Sequence, residues 1–407
     1  MQINFTSQAD TCARACVIVL GFAIPISVAL DNILLALLFA SWLASGNFRG
    51  KLSLIRSNPV ARAALVLFGL LALGLAYGTR DPGDGLRYLG KYLDLLFVPV
   101  FLTMFQSNQT RNDALKAFFG AIVLSIIVSH LTHLGLLYNN LLVPHAQEFP
   151  RGFKYSITHA LLVGFSAFVF ALLARHTARR LWRIVFIALA VIAAHNVLFT
   201  VISRTGYLVL AALMLYFCIV SFRGRGLAAA TAFGIVFIFA GYYGSDRFEQ
   251  RVNSAVSELA EWQTDKPSTT SIGVRMEFYR GALQIVREHP VFGAGTGSFP
   301  AAYAEVVSGK NLNLAVNPHN EYLLITTQIG LIGLACLVYL FYLQWRLAAQ
   351  LEPLYRDLAR GLVLMFVIGC LFNSLLLDHT EGLFFAWATG LLFAGLKPPA
   401  HTTEHVA

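Results

Sequence analysis

A histidine opens one of the long apolar stretches of the chain, in the sequence Asn317-Pro318-His319-Asn320. Asparagine is a good helix N-cap and proline fits the first helical position, so the pattern predicts His319 in the first turn of a helix. The positive end of the helix dipole would then lower the pKa of the imidazole and favour its neutral form. A neutral imidazole can accept a proton from a hydroxyl group. The alternative is an ordinary polar residue at a helix start.

Continuation of this predicted helix at 3.6 residues per turn places His319, Leu323 and Gly330 on one face. Gly330 and Gly333 would allow a neighbouring helix to pack closely against that face.

Arginines form a second group of residues with chemical potential. Arg204 lies in a very short connection between two apolar stretches, and Arg275, Arg280 and Arg287 follow one predicted helix. One guanidinium group can donate hydrogen bonds to two oxygens of the same phosphate, and it keeps its charge at neutral pH. These arginines therefore predict a site for a phosphorylated ligand. The alternative is contact with lipid headgroups, or ion pairs with the nearby carboxylates Asp246, Glu249, Glu277 and Glu288. Further cations predicted on the same side are Arg80, Arg87, Lys91 and Lys154.

A glycine-rich segment, Gly293-Ala294-Gly295-Thr296-Gly297, follows His289-Pro290. Its spacing differs from the dinucleotide-binding fingerprint, and no predicted strand precedes it. Glycines at this density can bring backbone N–H groups close to an anion. They can equally form a compact turn after a helix that ends at the proline.

Several other ionisable groups lie in or beside the apolar stretches, where such groups are costly and often functional. Asp94 and Lys91 are three residues apart and also fit a structural ion pair. No grouping of His, Asp and Glu has metal-ligand spacing, and none of the five cysteines forms a C-x-x-C pair. We therefore expect neither a metal nor a cofactor. The remaining groups of this kind are His130, His133, His195, Asp378, His379 and Glu381.

The amino-acid composition indicates that much of this chain lies in a lipid bilayer. Of the 407 residues, 57% are hydrophobic and 13% are charged, whereas soluble proteins carry about 25% charged residues. Apolar stretches long enough to cross a bilayer recur along the chain and predict an all-α polytopic membrane protein with about twelve transmembrane helices. We place them near 12–30, 32–46, 60–78, 89–106, 114–137, 157–174, 184–202, 206–222, 227–243, 320–345, 360–377 and 382–396.

The distribution of Lys and Arg predicts the orientation. Basic residues are most frequent in alternate loops, which places both termini in the cytoplasm. Residues 1–243 then hold nine helices, 244–319 form a large helical segment outside with the candidate catalytic elements, and 320–407 hold the last three helices and a short cytoplasmic tail. The net charge of +9 is scattered over these loops, which indicates contact with membrane lipids rather than nucleic acid.

Taken together, these motifs resemble the O-antigen ligase family, within the group that also holds O-antigen polymerases and protein O-oligosaccharyltransferases. The ligase pattern H-[NS]-x-x-L, followed by six residues and Gly, is met by His319, Asn320, Leu323 and Gly330. The element S-R-[ST]-G is met by residues 203–206. The group's R…P-x-x-G-x-G-x-G-x-F segment is met by Arg275, Arg280, Pro290, Gly293, Gly295, Gly297 and Phe299.

The resemblance implies a glycosyltransferase of the membrane C class in which Arg204, Arg275 and His319 are essential. The expected reaction transfers O-antigen from undecaprenyl diphosphate to a hydroxyl of lipid A–core, with inversion and without a metal, at the periplasmic face of the bacterial inner membrane. In this hypothesis His319 is the base, and Arg204, Arg275 and Arg280 hold the diphosphate together with Arg87 or Lys154. The alternatives are the polymerase, the protein-glycosylating enzyme and, outside the enzymes, a transporter of lipid-linked sugars.

Overall fold

The computed structural model describes residues 5–78, 82–137, 151–263 and 267–396, and within these ranges the regular structure is helical throughout. A π-helix spans Asn196–Thr200, and short 3₁₀ helices span Arg223–Arg225 and Ala348–Gln350. The α-helices are α1 (Phe5–Ala23), α2 (Val28–Ala44), α3 (Phe48–Ser57), α4 (Pro59–Gly74), α5 (Pro82–Lys91), α6 (Asp94–Met104), α7 (Asn108–His133), α8 (Ser156–His176), α9 (Arg180–His195), α10 (Arg204–Ser221), α11 (Gly226–Gly244), α12 (Asp246–Glu261), α13 (Ser271–Glu288), α14 (Phe299–Val306), α15 (Glu321–Leu347), α16 (Pro353–Gly369) and α17 (His379–Phe393).

Among the described residues, six helices are long and apolar enough to cross a membrane, and a seventh crossing is obtained if the pair α2–α3, which is bent by 113°, counts as one. The six are Asn108–His133, Ser156–His176, Arg180–Thr200, Arg204–Ser221, Gly226–Gly244 and Glu321–Gln350. Several of the other predicted spans contain helices that are too short for this criterion, such as α4 and α17 with 16 and 15 residues. The protein is therefore an all-helical chain with several membrane-capable helices, and the twelve-span layout stays a prediction.

Several of the predicted spans do not coincide with single helices of the structure. The span predicted at 12–30 is wrong as one helix, because α1 ends at Ala23 and α2 begins after the cap residue Ser27, with Pro25 in the turn between them. The span predicted at 360–377 ends early at Gly369. Residues 370–378 then form an irregular segment, which supplies part of the candidate site.

The helices that carry the predicted site begin at side-chain caps. Ser203, Ser245 and Thr270 cap α10, α12 and α13, and each accepts a hydrogen bond from the N–H group three residues later. Such caps satisfy backbone donors that a helix leaves unpaired at its start. The starts of these three helices are therefore set locally by the sequence.

Helix α15 contains a break at Gly330. Gly330 has a φ of +66° and Ile329 is also non-helical, so the prediction that His319, Leu323 and Gly330 share one helical face is wrong. A Cβ atom at position 330 would lie 2.0 Å from the carbonyl oxygen of Val291. The backbone of the preceding loop therefore occupies the space that a side chain would need.

The glycine-rich segment supplies the hydrogen bonds that this break removes from α15. The N–H groups of Ala294 and Gly295 donate to the carbonyls of Thr327 and Gln328, each at 2.8 Å. The N–H of Gly297 donates to the side-chain oxygen of Gln328 at 2.9 Å. These donors are therefore already paired, and the interpretation of the segment as a compact turn fits the structure better than a cradle for an anion.

Candidate active site

His319 lies just before α15 rather than in its first turn. The helix cap is Asn320, whose side chain accepts a hydrogen bond from the N–H of Leu323. Asn317 instead accepts a bond at 2.8 Å from the N–H of His319, the short turn that Asn side chains form with the backbone two residues on. His319 consequently adopts a φ of +52°. The predicted positions of the cap and of His319 are wrong by three residues.

The imidazole of His319 is oriented through its Nδ1 atom. This nitrogen lies 3.2 Å from Oδ1 of Asn373, and the amide nitrogen of Asn373 donates to Oδ2 of Asp378 at 3.3 Å. Because an Asn amide donates only through its nitrogen, the bond to Asp378 leaves the Asn373 oxygen facing the ring. Nδ1 then carries the proton, and Nε2, which has no hydrogen bond to a described residue, presents a lone pair.

Helix α13 supports the same imidazole from one side. The ring stacks on Phe278 at a centroid distance of 6.3 Å, and the hydroxyl of Tyr279 donates to the carbonyl of His319 at 3.3 Å. Burial lowers the pKa of His319; the hydrogen bond with Asn373 opposes this effect and the charge of Arg275 adds to it. His319 is therefore neutral at pH 7, which a general base requires.

Arg275 is a half-buried cation beside this histidine. It makes no hydrogen bond or ion pair with any residue in the described ranges, and burial lowers the pKa of its guanidinium group. Arg204 lowers that pKa further, whereas Tyr279 and Glu258 raise it. A partly desolvated guanidinium without a partner is a ready site for an anion.

Arg204 stands at the first position of α10 and is held by α12. Its guanidinium group donates to both carboxylate oxygens of Glu258, at 2.7 and 3.3 Å, and to the hydroxyl of Ser254 at 2.8 Å. The Glu258 carboxylate also accepts a bond at 2.8 Å from the N–H of Ile272 in α13. The hydrogen bond from Arg204 is the main reason why the pKa of Glu258 is lowered. Arg204 therefore forms an ion pair, but its partner Glu258 is not among the carboxylates that the sequence analysis named as possible partners.

Arg204 acts electrostatically on Arg275, and Arg275 on His319, so three of the residues singled out by the sequence motifs lie in one region of the structure. Residues 189–338 match the model of the O-antigen ligase family. The match covers a little over a third of the chain and includes Arg204, Arg275 and His319, so the predicted resemblance is confirmed for this region. Members of the family are glycosyltransferase-like ligases or polymerases.

A part of the chain is also similar to a segment of a curated protein. An uncharacterized protein of Haemophilus influenzae (strain Rd) is 28% identical over 94 residues, which are 22% of this chain and 24% of that protein. The chain thus matches about a quarter of the length of this relative, whose name states no activity.

The other predicted cations lie apart from the three central residues of the O-antigen ligase region. Lys154 is buried, 3.5 Å from Asp31, and donates to Thr380 at 3.2 Å. Arg87 is exposed and pairs with Asp84 at 2.8 Å. Arg280 is exposed on α13 and projects from a different face of the helix than Arg275, which lies five residues earlier. Arg80 lies outside the described residues.

Three residues of the site were not singled out from the sequence. Asn373 was assigned to the interior of a span, and Glu258 and Tyr279 carry no motif of their own. The sequence singled out Asp378 only as one of the ionisable groups in or beside the apolar stretches. Within the described ranges, no group of three His, Cys, Asp or Glu residues could hold a metal ion.

Proposed function

We propose that this protein is an O-antigen ligase, which transfers O-antigen from undecaprenyl diphosphate to a sugar hydroxyl of lipid A–core. The observation that carries the proposal is the electrostatic effect of Arg275 on a neutral His319. Arg275 is half-buried and has no hydrogen bond or ion pair within the described ranges, and Nε2 of His319 has no hydrogen bond to a described residue. An anion site and a base side by side suit the transfer of a group from a diphosphate to a hydroxyl.

The two arginines bind the donor diphosphate. Arg275 has no competing partner in the described ranges, whereas Arg204 is bonded to Glu258. A diphosphate offers more negative charge than one carboxylate, so donor binding displaces Glu258 from Arg204. Both guanidinium groups then stabilise the charge that develops on the leaving diphosphate.

His319 activates the acceptor. Its Nε2 atom accepts the proton of the acceptor hydroxyl as that oxygen attacks the anomeric carbon of the donor sugar. The new carbon–oxygen bond forms while the bond to the diphosphate breaks, and undecaprenyl diphosphate leaves with the electron pair. Attack from the side opposite the leaving group inverts the anomeric configuration.

The location and the metal independence belong to the same proposal. The arginines supply positive charge of the kind that Mg²⁺ provides in other phosphate-leaving reactions. A lipid-linked donor suits the periplasmic face of the inner membrane, with both termini in the cytoplasm, because nucleotide sugars are not available there.

Reconstituted transfer tests the proposal. Purified protein is mixed in detergent with undecaprenyl diphosphate–linked glycan and lipid A–core, and wild type is compared with Arg204→Ala, Arg275→Ala and His319→Ala. Arg287→Ala and His289→Ala are matched controls, because both residues are exposed on the same segment. We expect transfer in wild type and controls and its loss in the three variants. Absence of transfer by folded wild-type protein, or full activity of His319→Ala, would refute the proposal.

The acceptor separates ligase from polymerase. A deletion strain that accumulates polymerised, lipid-linked glycan and unmodified lipid A–core indicates a ligase. A strain that carries single repeat units on the core indicates a polymerase and contradicts the acceptor proposed here.

A further inference from the structure

A pocket lies far from His319, where α7 and α16 begin and α15 and α17 end. Its volume is about 460 Å³, which is within the usual range of ligand pockets, roughly 300–1,000 Å³. Its described lining includes Arg111, Gln350, Glu352 and Tyr355. Helix α15, which begins beside His319 and ends beside this pocket, has 27 residues and is therefore about 40 Å long. The pocket is thus separate from the candidate active site.

The position of this pocket along the helices corresponds to the level of lipid headgroups. Both α7 and α15 are long and apolar enough to cross a membrane. The pocket lies at the first residues of α7 and just past the last residue of α15. The ends of membrane-spanning helices meet the headgroup region, where tyrosines such as Tyr355 are frequent. In the predicted orientation this end faces the cytoplasm.

Arg111 is a half-buried cation of the lining that has no carboxylate partner among the described residues. Its guanidinium group donates to the side chain of Asn108 and lies over the ring of Tyr355, 5.1 Å from the ring centroid. The hydroxyl of Tyr355 donates to the side chain of Asn112 at 3.3 Å. These contacts hold the guanidinium group and leave its other N–H groups without a hydrogen-bond partner in the described ranges. A guanidinium group held in this way is suited to a phosphate.

Glu352 contributes the opposite charge to the same pocket. It occupies the N-cap position of α16, but its side chain does not cap the helix. Its carboxylate forms no hydrogen bond or ion pair with Arg111 or with any other described residue. The described lining therefore presents one cation and one anion that are not paired with each other. This arrangement matches a ligand that carries both a negative and a positive group.

An adjoining pocket is suited to an apolar chain. Its volume is about 350 Å³, and Gln350 lines both pockets. Gly395 of the first pocket lies between Ala394 and Leu396 of the second. Other apolar residues of the second lining are Leu54, Leu102 and Leu347. A pocket with two opposite charges beside a more apolar pocket matches the two parts of a phospholipid.

We propose that the two pockets bind one phospholipid with a zwitterionic headgroup, whose phosphate contacts Arg111 and whose primary ammonium contacts Glu352. A primary ammonium donates hydrogen bonds to a carboxylate, as the lysine side chain does, whereas the trimethylated ammonium of phosphatidylcholine has no N–H group. Phosphatidylglycerol would bring a phosphate to Arg111 but no positive group to Glu352. The inference goes beyond the proposed function and does not depend on the reaction at His319.

Lipid binding by the purified full-length protein tests the proposal. Delipidated protein in detergent is titrated with phosphatidylethanolamine, phosphatidylcholine or phosphatidylglycerol that carry the same acyl chains, and native mass spectrometry measures the first binding event. We expect phosphatidylethanolamine to bind at least fivefold more tightly than the other two lipids. O-Phosphoethanolamine, which has the same headgroup and no acyl chain, should bind at least tenfold more weakly because it leaves the apolar pocket empty.

Two variants locate the site. Arg111→Gln and Glu352→Gln should each weaken the binding of phosphatidylethanolamine at least fivefold, and Glu352→Gln should leave the binding of phosphatidylglycerol unchanged. Lys116→Gln and Glu261→Gln are the matched controls, because both residues are exposed and lie outside the two linings. Glu352 is also exposed, so its substitution should not prevent folding, which the melting temperature checks.

Three results would overturn the proposal. The first is an equal affinity for the three lipids, and the second is binding of phosphatidylethanolamine that neither Arg111→Gln nor Glu352→Gln weakens. The third is a preference for phosphatidylglycerol that only Arg111→Gln removes, which would assign the pocket to an anionic lipid and contradict the role of Glu352.

Discussion

The Nδ1 atom of His319 lies 3.2 Å from the Oδ1 atom of Asn373, although 54 residues separate them along the chain. Asp378 fixes the amide by accepting a bond from its nitrogen. Burial raises the pKa of Asp378, and the charge of Lys91 opposes this effect. The pair of bonds sets both the tautomer and the direction of the imidazole, so Asn373 acts through the histidine as a positioning residue.

Asn373→Ala should lower kcat with little change in the KM of either substrate. The lost bond is worth about 1 kcal/mol, which corresponds to roughly a fivefold loss of rate. Asn373→Asp should retain orientation but raise the pKa of His319 through its negative charge. Steady-state kinetics over a range of pH measures both effects. An unchanged kcat in Asn373→Ala would show that the bond does not serve the reaction.

The pH dependence follows from the lowered pKa of His319. A base is active when deprotonated, and burial together with Arg275 holds this pKa below its ordinary value of 6.5. The rate kcat should therefore stay constant from neutral pH down to about 6.5 and fall at lower pH. Arg275→Gln removes one cause of the lowering, so the acidic limb of its residual activity should move to higher pH. An acidic limb above pH 6.5 in the wild type would contradict this reasoning.

Local sequence determines those parts of the fold that were predicted correctly. Long apolar runs predict helices because the spacing of apolar side chains is a local pattern. The motifs also identified Arg204, Arg275 and His319 as one family set. These signals need no knowledge of the tertiary arrangement.

Contacts between distant segments account for what was not predicted. The break at Gly330 exists because the loop at Val291 packs into α15, and no pattern within the apolar run reveals that loop. The partner of Arg204 is Glu258, on a separate helix. His319 precedes α15 because Asn317 accepts a hydrogen bond from its backbone N–H. Asn317 and Asn320 were both possible N-caps, and the structure uses Asn320.

Glu258→Gln should strengthen donor binding. The carboxylate competes with the diphosphate for Arg204, and an amide competes more weakly because it carries no charge. We expect the KM for the lipid-linked donor to fall about threefold. This change corresponds to a loss of roughly 0.6 kcal/mol or more from the interaction between position 258 and Arg204. Glu261→Gln, an exposed change on the same helix, is the control. Loss of activity in Glu258→Gln would instead show that Glu258 must hold Arg204 during the reaction.

Transfer should be independent of divalent metal ions. Arg204 and Arg275 supply the positive charge beside the diphosphate, so the leaving group needs no Mg²⁺ for its stabilisation. The measurement compares initial rates of transfer with and without EDTA, and then after addition of Mg²⁺. Rates that agree within about twofold are expected. Activity that EDTA abolishes and Mg²⁺ restores would defeat this part of the mechanism.

Gly295→Ala should destabilise the protein strongly. Gly295 has a φ of +98°, and a Cβ atom there would lie 1.7 Å from the Cα atom of Gly78. The backbone must shift, which we expect to cost roughly 3 kcal/mol or more. Gly309→Ala is the matched control, because Gly309 also has a positive φ, of +71°, but no atom within 4 Å of its Cβ position. Its cost should be the backbone strain alone, about 1–2 kcal/mol. Thermal unfolding in detergent compares the two variants, and equal melting temperatures would show that the approach of Gly78 to Gly295 does not limit stability.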